Sequence, residues 1–198
     1  MKGLNIIIAG VGGQGNILLE RIIGKCAIAA GWKATAADTF GAAQRGGSVI
    51  SQIRLGDKVR SSLIPQGKCD VIIGLEPGEA LRATGRYVAE DTLVIVNTSP
   101  VLPAKVKTGE CAYPPVEHIL QLMENAAGRV IHFDATGLAK KAAGDIRYTN
   151  IVMAGAFAAE ELLPVESETY KMIITETTGG FAQKNLIAFD AGLKQCSA

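Results

Sequence analysis

Residues 4–15 read Leu4-Asn5-Ile6-Ile7-Ile8-Ala9-Gly10-Val11-Gly12-Gly13-Gln14-Gly15. The isoleucine-rich run closed by glycine predicts a short strand buried on both faces, as in a parallel sheet. Gly10 to Gly15 spells G-x-G-x-x-G, and Asn16 to Ile23 continues with apolar residues at helical spacing. Strand, glycine turn and helix in that order predict a Rossmann-like α/β unit. On this pattern Gly10 serves the tight turn, Gly12 admits a phosphate to the backbone, and Gly15 lets helix and strand approach. The helix N-terminus adds unpaired N–H groups and a positive dipole end. Glycines also serve a close strand–helix crossover without any ligand, so a bound nucleotide-like group and a purely structural turn both stay open.

Working outward, the helix should run to about Ala30 and stop at Gly31. Trp32–Asp38 reads as a second strand, and Asp38 is its candidate for holding a ribose, as in nicotinamide or flavin enzymes. Residues 39–48 form a polar, glycine-rich loop, Thr39-Phe40-Gly41-Ala42-Ala43-Gln44-Arg45-Gly46-Gly47-Ser48. Its Arg45 suits phosphate or carboxylate, and Gly46-Gly47 exposes backbone donors. An internal or intersubunit ion pair of Arg45 is the competing structural role. Residues 49–55 alternate as a strand, and 59–64 would return as its hairpin partner. Thus a β-hairpin insertion is expected where a helix would normally follow.

Buried strands are expected at 71–75, 93–97 and 130–135. Helices are expected from Glu76-Pro77, over 116–127 and 136–143, from Ser167 to about Glu176, and over 181–193. Residues 101–115 contain three prolines and read as irregular. Asn150–Leu163 is apolar nearly all round, which predicts a buried helix or an interface. The whole chain, residues 1–198, is read as a single mostly parallel α/β domain flanked by helices.

Composition narrows the function. Net charge is +1 with no basic stripe, which argues against nucleic acid. No apolar run is long enough for a bilayer, and the chain opens directly on a core strand, so a cytoplasmic location is expected. The four cysteines, Cys26, Cys69, Cys111 and Cys196, show no C-x-x-C spacing, and His118 and His132 form no pair. A metal or iron–sulfur site within this chain is therefore not expected. Nor is there a Ser/His/Asp or Cys/His arrangement, so no catalytic residue is assigned.

GVGGQG near the N-terminus, Ala43-Gln44-Arg45-Gly46-Gly47-Ser48, Leu75-Glu76-Pro77 with Glu79-Ala80-Leu81, Asn150 to Ala156 and Asn185 to Gly192 span nearly the whole chain. In this order they resemble the gamma subunit family of 2-oxoacid:ferredoxin oxidoreductases, closest to the branch with the indolepyruvate enzyme's smaller subunit and generic oxoacid enzymes. The resemblance implies a non-autonomous subunit of an enzyme that oxidatively decarboxylates a 2-oxoacid to an acyl-CoA and reduces ferredoxin. It implies partners that hold thiamine diphosphate, magnesium and iron–sulfur clusters, and a coenzyme A contact for this chain. The residues assigned to that contact are Gly10, Gly12, Gly13, Gln14, Gly15, Gln44, Arg45, Gly46, Gly47 and Ser48. They would bind a CoA phosphate or position a loop at a subunit boundary. A homodimer of the isolated chain is also anticipated. The alternatives are a free-standing NAD- or FAD-dependent oxidoreductase, which leaves the QRGG loop unexplained, and a ligand-free scaffold module.

Overall fold

The computed structural model describes residues 3–40, 47–57, 59–102, 106 and 108–197. Gln44, Arg45 and Gly46 lie outside the described residues. Six strands form one sheet: β1 Leu4–Val11, β2 Ala34–Phe40, β3 Ser48–Leu55, β4 Cys69–Gly74, β5 Val88–Asn97 and β6 Arg129–Phe133. Their spatial order is β2-β3-β1-β4-β5-β6. β1, β4, β5 and β6 are mutually parallel, whereas β3 runs antiparallel to both neighbours. The helices are α1 Asn16–Ala29, α2 Pro77–Tyr87, α3 Val116–Ala126, α4 Ala135–Ala143, α5 Thr149–Ala159, α6 Ser167–Thr178 and α7 Ala182–Cys196.

β1 is apolar from Ile6 to Val11 because both of its faces are covered there. Ile6 and Ile8 pack against α1, α5, α6 and α7 on one side. Ile7 and Ala9 pack against α2 and α3 on the other. At roughly 25 cal/mol per Å² of apolar surface removed from water, these two layers supply most of the drive to fold. α1 leaves β1 toward the first face, and α2 leaves β4 toward the second. The connections leaving the carboxyl ends of β1 and β4 therefore part to opposite faces, which creates the crevice where open α/β sheets bind ligands.

The hairpin insertion exists, with a different partner from the one expected. β3 pairs with β2, Ala34 opposite Leu55 and Thr39 opposite Ile50, and then inserts beside β1. The expected return strand at 59–64 is absent. Side chains of β3 satisfy its backbone instead: Ile64 N–H donates to Gln52 Oε1 at 2.8 Å, and Arg54 Nη1 donates to the Ser61 and Leu63 carbonyls at 3.2 and 3.4 Å. A segment already paired this way has no ladder to offer.

α5 is buried along almost its whole length, as expected. It crosses α7 with the two backbones in contact. A Cβ on Gly155 would collide with the Phe189 carbonyl, and one on Gly192 with the Val152 carbonyl. The two motif glycines thus answer each other across a single interface, which no local reading of either segment shows. Among the described residues, no helix is long and apolar enough to cross a membrane.

Candidate functional site

The glycine loop closes on the protein itself. Gly12 N–H donates to the Gly47 carbonyl at 2.8 Å, tying the loop to the foot of the β2–β3 connection. Gln14 then bridges the crevice. Its Oε1 accepts from Val11 N–H at 2.7 Å, and its Nε2 donates to the Leu75 carbonyl at 3.0 Å, linking the ends of β1 and β4. Asn16, fully within the core, holds the Ile8 and Val49 carbonyls at 3.4 and 3.3 Å.

The glycines do other work than the motif suggests. Gly10 lies inside β1, and a Cβ there would sit 2.8 Å from Asn16 Oδ1 and 2.9 Å from Gln14 Oε1. Its smallness makes room for those two amides. Gly12 has its N–H engaged by Gly47 rather than open to a phosphate. Gly15 is left-handed at φ 86°, where only glycine is unstrained. A Cβ on it would strike the Asn150 amide, not strand β1. Asn150 Nδ2 donates to the Gly15 carbonyl at 3.2 Å, so the start of α5 pins the start of α1.

On the far side of the crevice, Glu76 caps α2. Its Oε2 accepts from Glu79 N–H at 2.9 Å, with Pro77 opening the helix. Tyr113 donates to Glu76 Oε1 and accepts from Gly78 N–H at 3.0 Å. Burial and that carboxylate raise the Tyr113 hydroxyl above its ordinary range. The remaining buried carboxylate, Glu79, accepts from the Ser48 hydroxyl at 2.6 Å and lies 3.8 Å from Arg82. Ser48 is thereby fixed to α2 while Gly47 is fixed to the glycine loop. Both ends of that contact straddle the crevice mouth.

Farther along the carboxyl edge, buried Asn97 donates to the Leu75 carbonyl and to Thr136 Oγ1, each at 3.0 Å. Asp134 caps α4, and the Ser99 hydroxyl and Gly137 N–H pull its carboxyl below the usual range. Asp38, the ribose candidate, is taken up elsewhere. It stands opposite Ser51 in the β2–β3 register and accepts from the Ser51 hydroxyl, with Glu20 of α1 against it. Burial, then the Asp38 carboxylate, raises Glu20 to about 7.

The structure therefore brings together Gly10, Gly12, Gly13, Gln14, Gly15, Gly47 and Ser48 of the expected site. It adds Asn16, Glu79, Asn97, Tyr113 and Asn150, which sequence reasoning did not assign to it. Asn150 carried a signal, since it opens one of the recognised motifs. Gln44, Arg45 and Gly46 lie outside the described residues. Among the described residues, no group of three or more His, Cys, Asp or Glu side chains stands close enough to hold a metal ion.

Residues 5–195 match the family model for pyruvate ferredoxin/flavodoxin oxidoreductase. The chain is 39% identical over 196 residues to indolepyruvate oxidoreductase subunit IorB of Pyrococcus horikoshii, covering 98% of this chain and 96% of that one. Its fold is similar to the keto/oxoacid ferredoxin oxidoreductase gamma subunit of Geobacter sulfurreducens, with TM-score 0.69, 24% identity and 98% of each chain covered. It also resembles part of the 2-oxoglutarate:ferredoxin oxidoreductase of Magnetococcus marinus, solved with 2-oxoglutarate, coenzyme A and succinyl-CoA. There the TM-score is 0.73 and identity 22%, over 99% of this chain and 31% of that one. The sheet, the glycine loop and the match along nearly the full length agree: this chain belongs to the pyruvate ferredoxin/flavodoxin oxidoreductase family.

Proposed function

We propose that the chain is a non-autonomous, gamma-type subunit of a 2-oxoacid:ferredoxin oxidoreductase of the indolepyruvate kind. The complete enzyme would decarboxylate an aryl 2-oxoacid, form the acyl-CoA and pass the electrons to ferredoxin. Thiamine diphosphate, magnesium and the iron–sulfur clusters belong to partner subunits in this proposal. The kinship with the Pyrococcus horikoshii subunit over nearly the full chain supports the aryl class.

One observation carries the role of this chain: the Gly12 N–H to Gly47 carbonyl bond. It makes the glycine loop the anchor of Gly47, at the start of β3, rather than an open phosphate cradle. Ser48 is held by Glu79 as well, and Gln44 and Arg45, which precede this anchor in the sequence, are the residues we assign to coenzyme A bound among the subunits. The dinucleotide alternative loses two supports on the same geometry. Its phosphate donor is engaged, and its ribose carboxylate, Asp38, is taken by Ser51 and Glu20.

The test is steady-state viologen or ferredoxin reduction by the co-expressed complex. Omission of this chain should abolish CoA-dependent turnover with indolepyruvate. Arg45→Ala should raise the KM for CoA by about 10-fold, the loss of one charge-assisted phosphate contact, with the 2-oxoacid KM little changed. A complex that turns over equally well without this chain refutes the proposal. Tight NAD or FAD binding by the isolated chain would restore the dinucleotide alternative.

A further inference from the structure

Donors at the crevice mouth are turned inward. Val11 N–H donates to Gln14 Oε1 at 2.7 Å, Gly12 N–H to the Gly47 carbonyl at 2.8 Å, and Gln14 Nε2 to the Leu75 carbonyl at 3.0 Å. Ser48 is half-buried and stands opposite Val11 in the β1–β3 register. Its hydroxyl donates to Glu79 Oε2 at 2.6 Å. That separation is typical of a hydroxyl donating to a carboxylate. A hydroxyl has one proton and two lone pairs, so what Ser48 still has to offer is an acceptor.

Glu79 holds that proton firmly. It is 8% exposed and sits in the first turn of α2, and Glu76, which caps the helix, is 2% exposed. The Glu79 backbone N–H is fixed to Glu76 Oε2 at 2.9 Å, and Glu79 Oε1 lies 3.8 Å from Arg82 Nη1. Taking the Ser48 proton away would leave a buried carboxylate oxygen without its partner, which is costly. The bond therefore persists when a ligand arrives, and Ser48 meets that ligand as an acceptor. Two buried carboxylates behind it also disfavour a further anion alongside. The group complementary to Ser48 is neutral and carries an N–H.

We propose that Glu79 is a positioning residue, which fixes Ser48 as an acceptor for an amide N–H of the pantetheine arm of coenzyme A. This rests on the coenzyme A role proposed above. Coenzyme A carries N–H groups in its pantetheine amides and in its adenine amino group. The adenine comes with the ribose 3′-phosphate nearby, and the Glu76 and Glu79 carboxylates disfavour that anion. The amides lie along an uncharged arm between the phosphates and the thiol. Holding one amide fixes the arm lengthwise, and with it the reach of the thiol.

The experiment measures KM and kcat of the co-expressed complex for coenzyme A and for analogues in which an ester oxygen replaces one pantetheine amide N–H. The wild type should show a KM about 5-fold higher for one of these analogues, the loss of one neutral hydrogen bond. Ser48→Ala should raise KM for coenzyme A by a similar factor, with no further rise for that analogue, because both changes delete the same bond. Glu79→Ala frees the Ser48 hydroxyl to turn, so it should raise KM and weaken the preference for the amide. Glu79→Gln keeps an acceptor for that hydroxyl and should restore both. A merely structural role of Glu79 would lower kcat or stability and leave the amide preference intact. Disappearance of the Ser48→Ala effect with dephospho-coenzyme A, or with the hypoxanthine analogue that lacks the adenine amino group, would move the contact elsewhere on coenzyme A and overturn the proposal. An unchanged KM in Ser48→Ala, or an unchanged amide preference in Glu79→Ala, would overturn it too. In each of these cases the subunit role stands. If the wild-type complex turns over equally well without this chain, that role falls and the arm contact with it.

Discussion

Raising the pH through neutrality should loosen the chain at a defined place, the contact between α1 and the β2–β3 hairpin. Glu20 reaches from α1 to Asp38, which already accepts from Ser51, and Arg21 is the neighbouring cation. Burial first, and the Asp38 carboxylate second, lift the Glu20 carboxyl from its ordinary 4.5 to about 7. The sign follows from proton counting. Between those two values the folded chain keeps a proton that the unfolded chain releases. Stability from this group is therefore full below the lower value and lost as pH rises to the upper one. A shift of this size corresponds to at most about 3 kcal/mol. Glu20 keeps partial contact with water, so screening brings the expected loss to about 1–2 kcal/mol. Glu20→Gln is isosteric, stays neutral and can still donate to Asp38. Guanidinium unfolding followed by circular dichroism should show the variant gaining about 1–2 kcal/mol on the wild type between pH 4.5 and pH 8, with that gap closing in acid. A difference between the two proteins that does not change across this range would refute the shared-proton geometry.

Other consequences are simpler to read. Gly155→Ala or Gly192→Ala should destabilise the chain by about 1–3 kcal/mol, because either methyl forces the α5 and α7 backbones apart. Thermal unfolding checks it, and an unchanged melting temperature for both would contradict the close crossing. Burial pushes the Cys26 and Cys69 thiols up to about 12, whereas Cys111 is exposed. A thiol reagent at pH 8 should therefore label Cys111 quickly and reach Cys26 and Cys69 only on unfolding. Rapid labelling of Cys26 in the native chain would mean that α1 is not packed as described.

The local elements were readable because their causes are local. An apolar run between turn residues makes a doubly buried strand, and Glu76-Pro77 announces a helix start in its own chemistry. The recognised motifs carried the family, since each is a short contiguous string. The site was only half readable. Gly10 to Gly15 and Gly47-Ser48 do meet at the crevice, but the roles of individual glycines were misjudged. Gly15 looked like a strand–helix spacer, and its real neighbour, Asn150, lies 135 positions away in the sequence. Asp38 is the only acidic residue near the end of the second strand, which made it the ribose candidate although it lies slightly late for one. Its actual partners, Ser51 and Glu20, come from another strand and from α1.

From sequence alone follow the α/β class, the buried strands, the glycine turn and the kinship with the oxoacid oxidoreductases, because periodicity, turn chemistry and motif strings act over a few residues. Tertiary structure alone decided that β3 inserts between β1 and β2, that Gln14 bridges the switch-point crevice, and that Gly155 meets Gly192. Strand order and helix crossings are settled by competition among long-range contacts of similar local propensity. A partner for a buried amide or carboxylate is likewise chosen by whichever distant segment packing delivers to it.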